Sequence, residues 1–401
     1  MKTAARLEGI GEYYFSKKLR EIELLNQSGE PVINLGIGSP DLPPHSSVVD
    51  TLNKESLRPD VHGYQNYKGT AVLRQSIADW YKKWYGVNLD SNSEILPLIG
   101  SKEGIIHVCM TYVNPGDLVL IPNPGYPTYR SAAMLAGGKV VEYSLTEQNN
   151  WFPDFKSISE TLQHAKEEAI ATGKDVQAQT LMFVNYPHMP TGQLPTEQFF
   201  TQLVSFAREH NILLCHDNPY SFILNERPLS LLAVEGAKDV AIELNSLSKS
   251  HNMAGWRVGM LCGDKSRIDD VLRFKSNMDS GMFLPLQLAA AKALALGDEW
   301  YKQLNATYSR RRKIVFELLD VLGCEYDAGQ AGLFVWAKVR STFTTGFQLS
   351  DDVLLHTRVF ITPGGIFGSA GDKYIRVSLC SSEEKLQEAI HRIKEFSEAK
   401  R

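Results

Sequence analysis

Short apolar segments alternate with helical patterns through the first two thirds of the chain. Seven of these segments predict β-strands, and helical periodicities separate most of them. This alternation predicts a mostly parallel sheet with helices on both faces, in which ligands bind beyond the carboxyl ends of the strands. The predicted strands are 95–99, 118–121, 139–143, 180–185, 212–216, 240–245 and 258–262, and the predicted helices lie near 101–112, 126–136, 155–171, 196–210 and 265–276.

The pattern changes after about residue 284. Two long helical patterns precede three further strands, and an amphipathic helix follows at 383–398. At the start of the chain, a helix near 16–26 precedes a short strand and a glycine-rich turn. We therefore predict a large α/β domain from residues 46–283, and a smaller α+β domain from residues 284–401 together with 1–45. The helices of this second part are predicted at 284–297 and 299–320, and its strands at 334–339, 359–362 and 374–379.

Composition narrows the class of protein. The 401 residues suit two α/β domains, or one large and one small domain, and 43% hydrophobic with 22% charged residues is an ordinary globular balance. A net charge of −4 gives no field that favours nucleic acid or an anionic membrane. No apolar segment has the length of a membrane span, and the N-terminus carries no apolar leader. The five cysteines lack ligand spacing, so we predict free thiols, no metal site and a cytoplasmic location.

One lysine stands among small hydroxyl residues in the segment 246–259, Ser-Leu-Ser-Lys-Ser-His-Asn-Met-Ala-Gly-Trp-Arg-Val-Gly. The amine of Lys249 could form a Schiff base, because lysine shifts its pKa readily when its surroundings change. Pyridoxal 5'-phosphate (PLP) needs such a lysine, together with donors for its phosphate and room for a flat ring. Ser246, Ser248 and Arg257 could supply those donors. A surface lysine after a strand is the alternative interpretation of this segment.

Asp217 and Tyr220 follow the predicted strand 212–216 in the segment His-Asp-Asn-Pro-Tyr. A carboxylate at that strand end could keep a pyridine nitrogen protonated, which makes PLP an electron sink. The phenol of Tyr220 could donate to the O3' hydroxyl of the ring. An aspartate that caps a turn is the alternative.

A second glycine-bounded segment, 100–104, follows a strand and opens a helix. Its backbone N–H groups and the Ser101 hydroxyl could bind a phosphate, although a plain capping box with Ser101 as N-cap gives the same pattern. Tyr126 follows the strand 118–121 and could stack on a ring, or be a buried tyrosine in a proline-braced turn. Arg376 interrupts an apolar strand, so its charge must face water, a carboxylate partner or a carboxylate substrate.

Eight sequence segments resemble those of the fold-type I, PLP-dependent aminotransferases of class I/II. They follow one another in the family's order, and the resemblance covers nearly the whole chain. The resemblance implies a seven-stranded, mostly parallel sheet in a large domain with a smaller α+β domain. It implies PLP as cofactor and ping-pong transfer of an amino group between an L-α-amino acid and a 2-oxo acid. The segments are 36–41, 64–69, 100–104, 124–127, 185–192, 217–220, 246–259 and 374–378.

The same resemblance assigns roles to individual residues. Lys249 would form the Schiff base and carry the proton between Cα and C4', Asp217 would pair with the ring nitrogen, and Tyr220 with O3'. Tyr64 would reach the phosphate of the other subunit, which implies a homodimer with shared sites. Arg376 and the backbone N–H of Gly38 would hold the substrate α-carboxylate. The remaining implied cofactor-binding residues are Ser101, Lys102 through its backbone, Tyr126, Asn185, Ser246, Ser248 and Arg257.

Two features concern the substrate. Residues 38–44 and the aromatic segment Tyr13-Tyr14-Phe15 are similar to the LL-diaminopimelate and alanine/methionine aminotransferases, which implies that Tyr14 binds substrate. Some dicarboxylate-specific relatives carry an arginine about thirty residues after the lysine. This chain has no basic residue between Asn277 and Leu288, which argues against an aspartate-specific site.

The chain departs from the family pattern at Met189. The family usually reads Asn-Pro-Thr-Gly, whereas this chain reads Met-Pro-Thr-Gly at 189–192. Methionine cannot donate a hydrogen bond to O3'. We expect Tyr220 to carry that contact, with water, Asn185 or His188 as helpers, and the proton affinity of the Schiff base to differ from the family norm. The family also implies cis peptide bonds at Met189–Pro190 and Asn123–Pro124.

Two other functions use the same scaffold. A PLP-dependent C–S β-lyase is the main alternative, because such an enzyme has the same cofactor site. It differs mainly in the reaction that the cofactor-bound substrate then undergoes. A transcriptional regulator would fuse this domain to a DNA-binding winged helix. The family pattern begins by residue 13 here without a basic module before it, so the regulator is disfavoured.

Overall fold

The computed structural model describes residues 2–12, 14–27, 29–171 and 180–399. The strands in this part of the chain are β1 (Ile33–Asn34), β2 (Ile95–Leu98), β3 (Leu118–Asn123), β4 (Lys139–Ser144), β5 (Thr180–Val184), β6 (Ile212–Asp217), β7 (Ala241–Ser246), β8 (Gly259–Gly263), β9 (Glu325–Tyr326), β10 (Phe334–Lys338), β11 (Val359–Phe360), β12 (Thr362–Pro363) and β13 (Tyr374–Ser378). The helices are α1 (Tyr14–Gln27), α2 (Ser46–Ser56), α3 (Ala71–Tyr85), α4 (Ser101–Tyr112), α5 (Pro127–Leu135), α6 (Phe155–Ala171), α7 (Glu197–Glu209), α8 (Ala237–Val240), α9 (Leu247–Ser250), α10 (Lys265–Lys275), α11 (Leu284–Leu294), α12 (Asp298–Leu322), α13 (Gly346–Thr357) and α14 (Glu383–Ala399).

Within these ranges a seven-stranded sheet has the order β2-β8-β7-β6-β5-β3-β4. Its strands are parallel except for β8, which runs antiparallel to both neighbours. Every residue of β5, β6 and β7 is buried, as expected for strands covered on both faces. The prediction of a large, mostly parallel sheet is confirmed, and the seven predicted strands differ from those observed by only a few terminal residues.

The central strands bring chemistry to one edge of this sheet. Strand β5 leads directly into Asn185, β6 ends at Asp217, and β7 ends at Ser246, just before Lys249. Since these strands are parallel neighbours, their carboxyl ends lie side by side. The site therefore forms at the edge where the sequence pattern predicted it.

A smaller sheet is formed by strands that follow those of the large sheet in the sequence. Its order is β12-β13-β10-β9. Its apolar residues form a cluster with those of α12 and α14, and Ile33 and Leu35 of the N-terminal segment belong to the same cluster. The predicted strand 359–362 is in fact two strands in different sheets, because β11 pairs with β1 and β12 pairs with β13. This run is buried throughout and shows no alternation, so the pattern could not reveal the change of sheet.

Helix α11 was assigned to the second domain by the sequence pattern. It packs against α2 and α3, and its buried residues belong to the apolar cluster of the large sheet. We propose that the boundary follows α11, and the division of the chain into two domains otherwise stays a prediction. The helices α2, α3 and α13 were not singled out from the sequence.

Two expectations from composition concern the whole fold. All five cysteines are free and buried. Burial raises the pKa of the Cys109 thiol to about 12, which makes this thiol unreactive. In the part of the chain that the structure describes, no helix combines the length and the apolar composition needed to cross a bilayer.

An ion pair between a buried arginine and a partly exposed aspartate joins the N-terminal segment to α12. Both terminal nitrogens of Arg311 donate to the Asp41 carboxylate, at 2.6 and 2.8 Å, and Nη1 also donates to the Leu379 carbonyl at 3.1 Å. The Arg311 side chain is 4% exposed and that of Asp41 31% exposed. Asp41 therefore neutralises a charge that water cannot reach.

We expect Asp41→Asn to destabilise the protein by about 2 kcal/mol, because it leaves the buried guanidinium without its counter-charge. Urea unfolding followed by circular dichroism measures this change. Asp60→Asn is the control, since Asp60 pairs with Arg58 at the surface, where the measured effect should be negligible. Equal stability of Asp41→Asn and the wild type would show that the Arg311 pair does not hold the N-terminal segment in place.

Candidate active site

A cavity of about 490 Å3 opens at the carboxyl edge of the large sheet. It is bounded on its other side by Phe334 of β10 and Arg376 of β13. The sequence-predicted residues that line this cavity are Gly38, Ser101, Lys102, Tyr126, Asn185, Asp217, Tyr220, Ser246, Ser248, Lys249, Arg257 and Arg376. Further lining residues that had no predicted role include Phe15, Leu19, Ile37, Tyr129, Phe334 and Phe367.

Asp217 presents one carboxylate oxygen that no residue in the described part of the chain bonds. Its Oδ2 atom accepts a hydrogen bond of 2.8 Å from the Tyr129 hydroxyl. Its Oδ1 atom is buried, and no described residue donates to it. Burial raises the pKa of the carboxyl to about 6, against the hydrogen bond from Tyr129 and the charge of His216. A buried acceptor of this kind suits a ligand that brings its own proton, such as a protonated ring nitrogen.

Asn185 fixes the loop that follows β5. Its Nδ2 atom donates to the Asp217 carbonyl at 2.6 Å, and its Oδ1 atom accepts from the Met189 backbone N–H at 2.8 Å. The cis bonds implied for Asn123–Pro124 and Met189–Pro190 are present, and Tyr186–Pro187 is also cis. The carboxamide of Asn185 thus ties the loop to the end of β6.

Lys249 lies in the short helix α9, which the Ser246 hydroxyl caps by accepting the Ser248 backbone N–H at 3.2 Å. The Lys249 Nζ atom donates to the carbonyl of Gly38. Burial lowers the pKa of this amine, and the charges of Arg376 and Arg257 act in the same direction. A lowered pKa favours the neutral amine, which is the nucleophilic form.

An anion site forms beside Lys249 at the start of α4. Gly100 is the N-cap of this helix with a φ of 81° and without a side-chain cap, so Ser101 is not the N-cap that a plain capping box would require. A Cβ atom on Gly100 would lie 2.1 Å from the Arg257 Nη2 atom. Arg257 also donates to the Ser248 hydroxyl at 3.3 Å, and Ser246 donates to Ser248 at 2.9 Å. Helix N–H groups, hydroxyls and a guanidinium together suit a phosphate dianion.

A buried charge cluster, which the sequence analysis missed, fixes the turn before α4. The Glu103 carboxylate accepts the Ile99 backbone N–H and bonds His107 at 2.8 Å and Lys275 at 3.3 Å. Although burial opposes it, contacts with His107, Asp279 and Lys275 lower the pKa of Glu103 to about 2. The Lys275 ammonium also lies 2.5 Å from an Asp279 oxygen, so it supplies the cation for these carboxylates.

Arg376 projects from β13 into an apolar wall. Its guanidinium lies 3.8 Å from the centre of the Phe334 ring, 4.7 Å from that of Phe367 and 5.6 Å from that of Phe15. Its Nη2 atom donates to the Gly36 carbonyl at 2.8 Å, and its Nη1 atom lies 3.3 Å from the Met189 sulfur. A charge in these surroundings gains most from a carboxylate ligand.

Two aromatic residues are placed as predicted at the cavity wall. The Tyr220 ring lies 6.0 Å from that of Phe334, and burial raises the pKa of its hydroxyl well above the usual range. The Tyr126 ring meets that of Tyr129 edge-on at 5.6 Å. Tyr220 is therefore neutral, and the Tyr126 ring lines the cavity.

Two predicted residues, Tyr14 and Tyr64, do not line the cavity of their own chain. Tyr14 packs against Phe15 and Phe347, with ring centres at 5.7 and 6.2 Å, and Phe15 one position later faces the cavity instead. Tyr13 lies outside the described residues. Tyr64 is 96% exposed and lies away from the cavity of its own chain.

These residues fit PLP on the observations above. The Asp217 oxygen that no described residue bonds would accept a protonated ring nitrogen, Lys249 would supply the amine, and the start of α4 with Arg257 would hold the phosphate. When bound, the cofactor supplies an electron sink for a carbanion next to its imine. The cavity thus combines a buried amine, donors that suit an anion and a buried arginine.

Comparison with known proteins agrees with this chemistry. The family model described as "Aminotransferase class I and II" matches residues 30–393. The LL-diaminopimelate aminotransferase of Halothermothrix orenii is 38% identical over 396 residues, which are 98% of both chains. The enzyme of the same name from Aquifex aeolicus is 40% identical over 391 residues, 97% of both chains.

Solved structures show the same likeness. The substrate-bound structure of BacF from Bacillus subtilis is 36% identical to this chain and has a TM-score of 0.90, with 98% of both chains covered. An aminotransferase from Staphylococcus aureus is 29% identical, with a TM-score of 0.85 and 99% of both chains covered. None of these relatives supports the C–S lyase alternative. The chain therefore belongs to the class I and II aminotransferases, within the branch similar to the LL-diaminopimelate aminotransferases, and is a PLP-dependent enzyme that transfers an amino group from an amino acid to a 2-oxo acid.

Proposed function

We propose that Lys249, Asp217 and Arg376 perform the central steps of this transfer. Lys249 would hold the cofactor through its Nζ atom, and its amine would carry the proton between the substrate Cα and the cofactor C4'. The lowered pKa of its amine supports this role. Asp217 keeps the ring nitrogen protonated through its free Oδ1 atom. Arg376, with the Gly38 backbone N–H, holds the α-carboxylate and so orients Cα toward Lys249.

We further propose that the amino donor carries an apolar side chain. The observation behind this proposal is the apolar part of the cavity lining, which includes Phe15, Leu19, Ile37, Phe334 and Phe367. The three phenylalanine rings lie beside Arg376. Burial of an apolar substrate side chain against these residues is favourable, whereas a second charged group would lose its hydration there. Between Asn277 and Leu288 the chain also offers no basic residue for a distal carboxylate.

LL-diaminopimelate is the second candidate donor. The observation that favours it is the shared name of relatives that are about 40% identical to this chain over 98% of its length. This donor carries a distal ammonium and a distal carboxylate, so it needs polar partners that the apolar wall does not provide.

Single-turnover mixing of the PLP form with a panel of amino acids distinguishes these donors. We expect methionine and phenylalanine to convert bound PLP to the amine form faster than LL-diaminopimelate, alanine or aspartate, because only the first two fill the apolar wall. The absorbance change of the cofactor measures the rate. A higher kcat/KM for LL-diaminopimelate than for both apolar donors would contradict the proposed substrate class. Release of pyruvate and ammonia from cystathionine without a 2-oxo acid would instead indicate lyase activity.

We also propose that the enzyme is a homodimer in which Tyr64 completes the phosphate site of the other subunit. Tyr64 is 96% exposed in its own chain, and exposed apolar residues surround the same region, among them Tyr67, Val72, Met278 and Phe283. The bridge between Gln65 and Gly281 holds the two segments of this surface together. Such a patch is typical of a subunit interface. The cytoplasmic location stays a prediction.

Mixing two inactive variants tests the shared site. Lys249→Ala removes the anchor, and Tyr64→Ala removes the contact offered to the partner, so each homodimer should lose most of its activity. After subunit exchange, each mixed dimer contains one complete site, and activity should rise to about a quarter of the wild-type value at equal amounts. A mixture of two separate preparations of Lys249→Ala is the control, because none of its dimers contains a complete site. Activity that stays at the sum of the two variants would show that Tyr64 serves its own chain or no site.

Substitution of Met189 tests which residues donate hydrogen bonds to the O3' hydroxyl of the cofactor. In Met189→Asn, we expect a new N–H donor beside Tyr220 to stabilise the anionic O3' atom, and therefore to lower the pKa of the Schiff base between Lys249 and PLP by about one unit. The pH titration of the absorbance of bound PLP measures that pKa. Met189→Leu is the matched control, because leucine fills similar volume without a donor and should leave the midpoint unchanged. An unchanged midpoint in Met189→Asn would contradict this account of O3'.

A further inference from the structure

A charged pair is buried beneath the active site, on the two central strands. The side chains of His216 in β6 and Glu243 in β7 are both 0% exposed. The His216 Nδ1 atom lies 2.8 Å from a Glu243 carboxylate oxygen, and its Nε2 atom lies 2.9 Å from the Tyr186 carbonyl. A carboxylate and a carbonyl both accept hydrogen bonds, so both ring nitrogens must donate. The imidazole therefore carries two protons and a positive charge.

Glu243 is surrounded by donors. Besides His216, its carboxylate accepts from the Tyr81 hydroxyl at 2.9 Å, from the Ser230 hydroxyl at 2.8 Å and from the Leu231 backbone N–H at 3.1 Å. Protonation of Glu243 would weaken these hydrogen bonds, because each donor stabilises the ionised carboxylate. The pair is thus a buried imidazolium and carboxylate with its hydrogen bonds satisfied.

This pair touches all three strands that carry the site. The Tyr186 carbonyl follows β5 and begins the loop that Asn185 fixes, His216 precedes Asp217 in β6, and Glu243 lies three residues before Ser246 in β7. The ring of His216 packs edge-on against Phe200 of α7 at 5.1 Å, so it occupies the face of the sheet away from the cavity wall. A displacement of His216 would shift the strand ends relative to one another.

Of the titratable groups that face the Asp217 carboxyl, His216 is the one whose charge acts on the pKa of this carboxyl. The titratable groups that face this carboxyl from the neighbouring elements are Tyr129 of α5, Tyr220, Cys215 and His216. Burial keeps the pKa values of the Tyr129, Tyr220 and Cys215 groups well above their usual range, so these groups stay neutral. Among these groups His216 supplies the positive charge, and it lowers the pKa of the Asp217 carboxyl against the effect of burial.

We propose that His216 and Glu243 are a positioning pair that keeps Asp217 ionised at the end of β6, a role that rests on the proposed contact between Asp217 and the ring nitrogen of PLP. The pair acts through Asp217 and touches neither cofactor nor substrate. Because Asp217 accepts the ring N–H only as a carboxylate, the affinity for PLP should rise with pH as this carboxyl ionises. Loss of the imidazolium charge moves that rise to higher pH.

The double variant His216→Gln, Glu243→Gln removes both charges and keeps polar groups in both positions. We expect the pH midpoint of its PLP affinity, measured by equilibrium dialysis, to lie at least about half a unit above that of the wild type. Glu243→Gln alone should move the midpoint in the same direction, because His216 loses the partner that keeps it charged. These two variants keep the test open if one of them fails to fold.

Tyr81→Phe is the matched control. It removes one donor from Glu243 and leaves both charges, so it should lower the melting temperature without moving the midpoint. An unmoved midpoint in the charge-removing variants, or an equal shift in Tyr81→Phe, would overturn the proposal. Rapid conversion of bound PLP by amino acids at high pH is a separate readout. If the wild type did not convert bound PLP in this way, the proposed function would be contradicted. The pH midpoint of the PLP affinity tests only the role of the His216–Glu243 pair.

Discussion

The burial of the Asp217 carboxylate, with one oxygen satisfied and one left for a ligand, is the constraint on which the site depends. Tyr129 holds Oδ2, and no described residue donates to Oδ1. A half-satisfied buried carboxylate is unfavourable in the protein alone, and its raised pKa expresses that cost. A cofactor that brings a protonated nitrogen relieves it. Under the proposed role of Asp217, the same contact would bind PLP and activate its ring.

The rest of the molecule supports this carboxylate. Asn185 holds the backbone carbonyl of Asp217, and the His216–Glu243 pair fixes the same strand from the opposite face. Lys249 follows the end of the next strand, β7, and the anion site lies beside it at the start of α4. Since β5, β6 and β7 are parallel neighbours, small shifts between them would separate these groups, which is why buried hydrogen bonds across the three strands matter for function.

The sequence was informative where local patterns decide the structure. Apolar runs predicted the strands of the large sheet, and the polar residues at their carboxyl ends, Asp217 and Ser246 among them, are brought to one cavity. The pattern failed where long-range packing decides. Tyr14 and Phe15 are adjacent in one helix, and only the packing of α1 selects Phe15 for the cavity. Tyr129 and Glu243 lie 88 and 27 residues from their partners Asp217 and His216, and no local signal marks them.

The central claim is that the free oxygen of Asp217 holds the proton of the cofactor ring. The 15N chemical shift of PLP labelled at its ring nitrogen measures that proton in the bound state. At neutral pH the account predicts the shift of a protonated ring nitrogen in the wild type and of an unprotonated one in Asp217→Ala. The same protonated shift in both proteins would contradict it, because the proton would then not depend on Asp217.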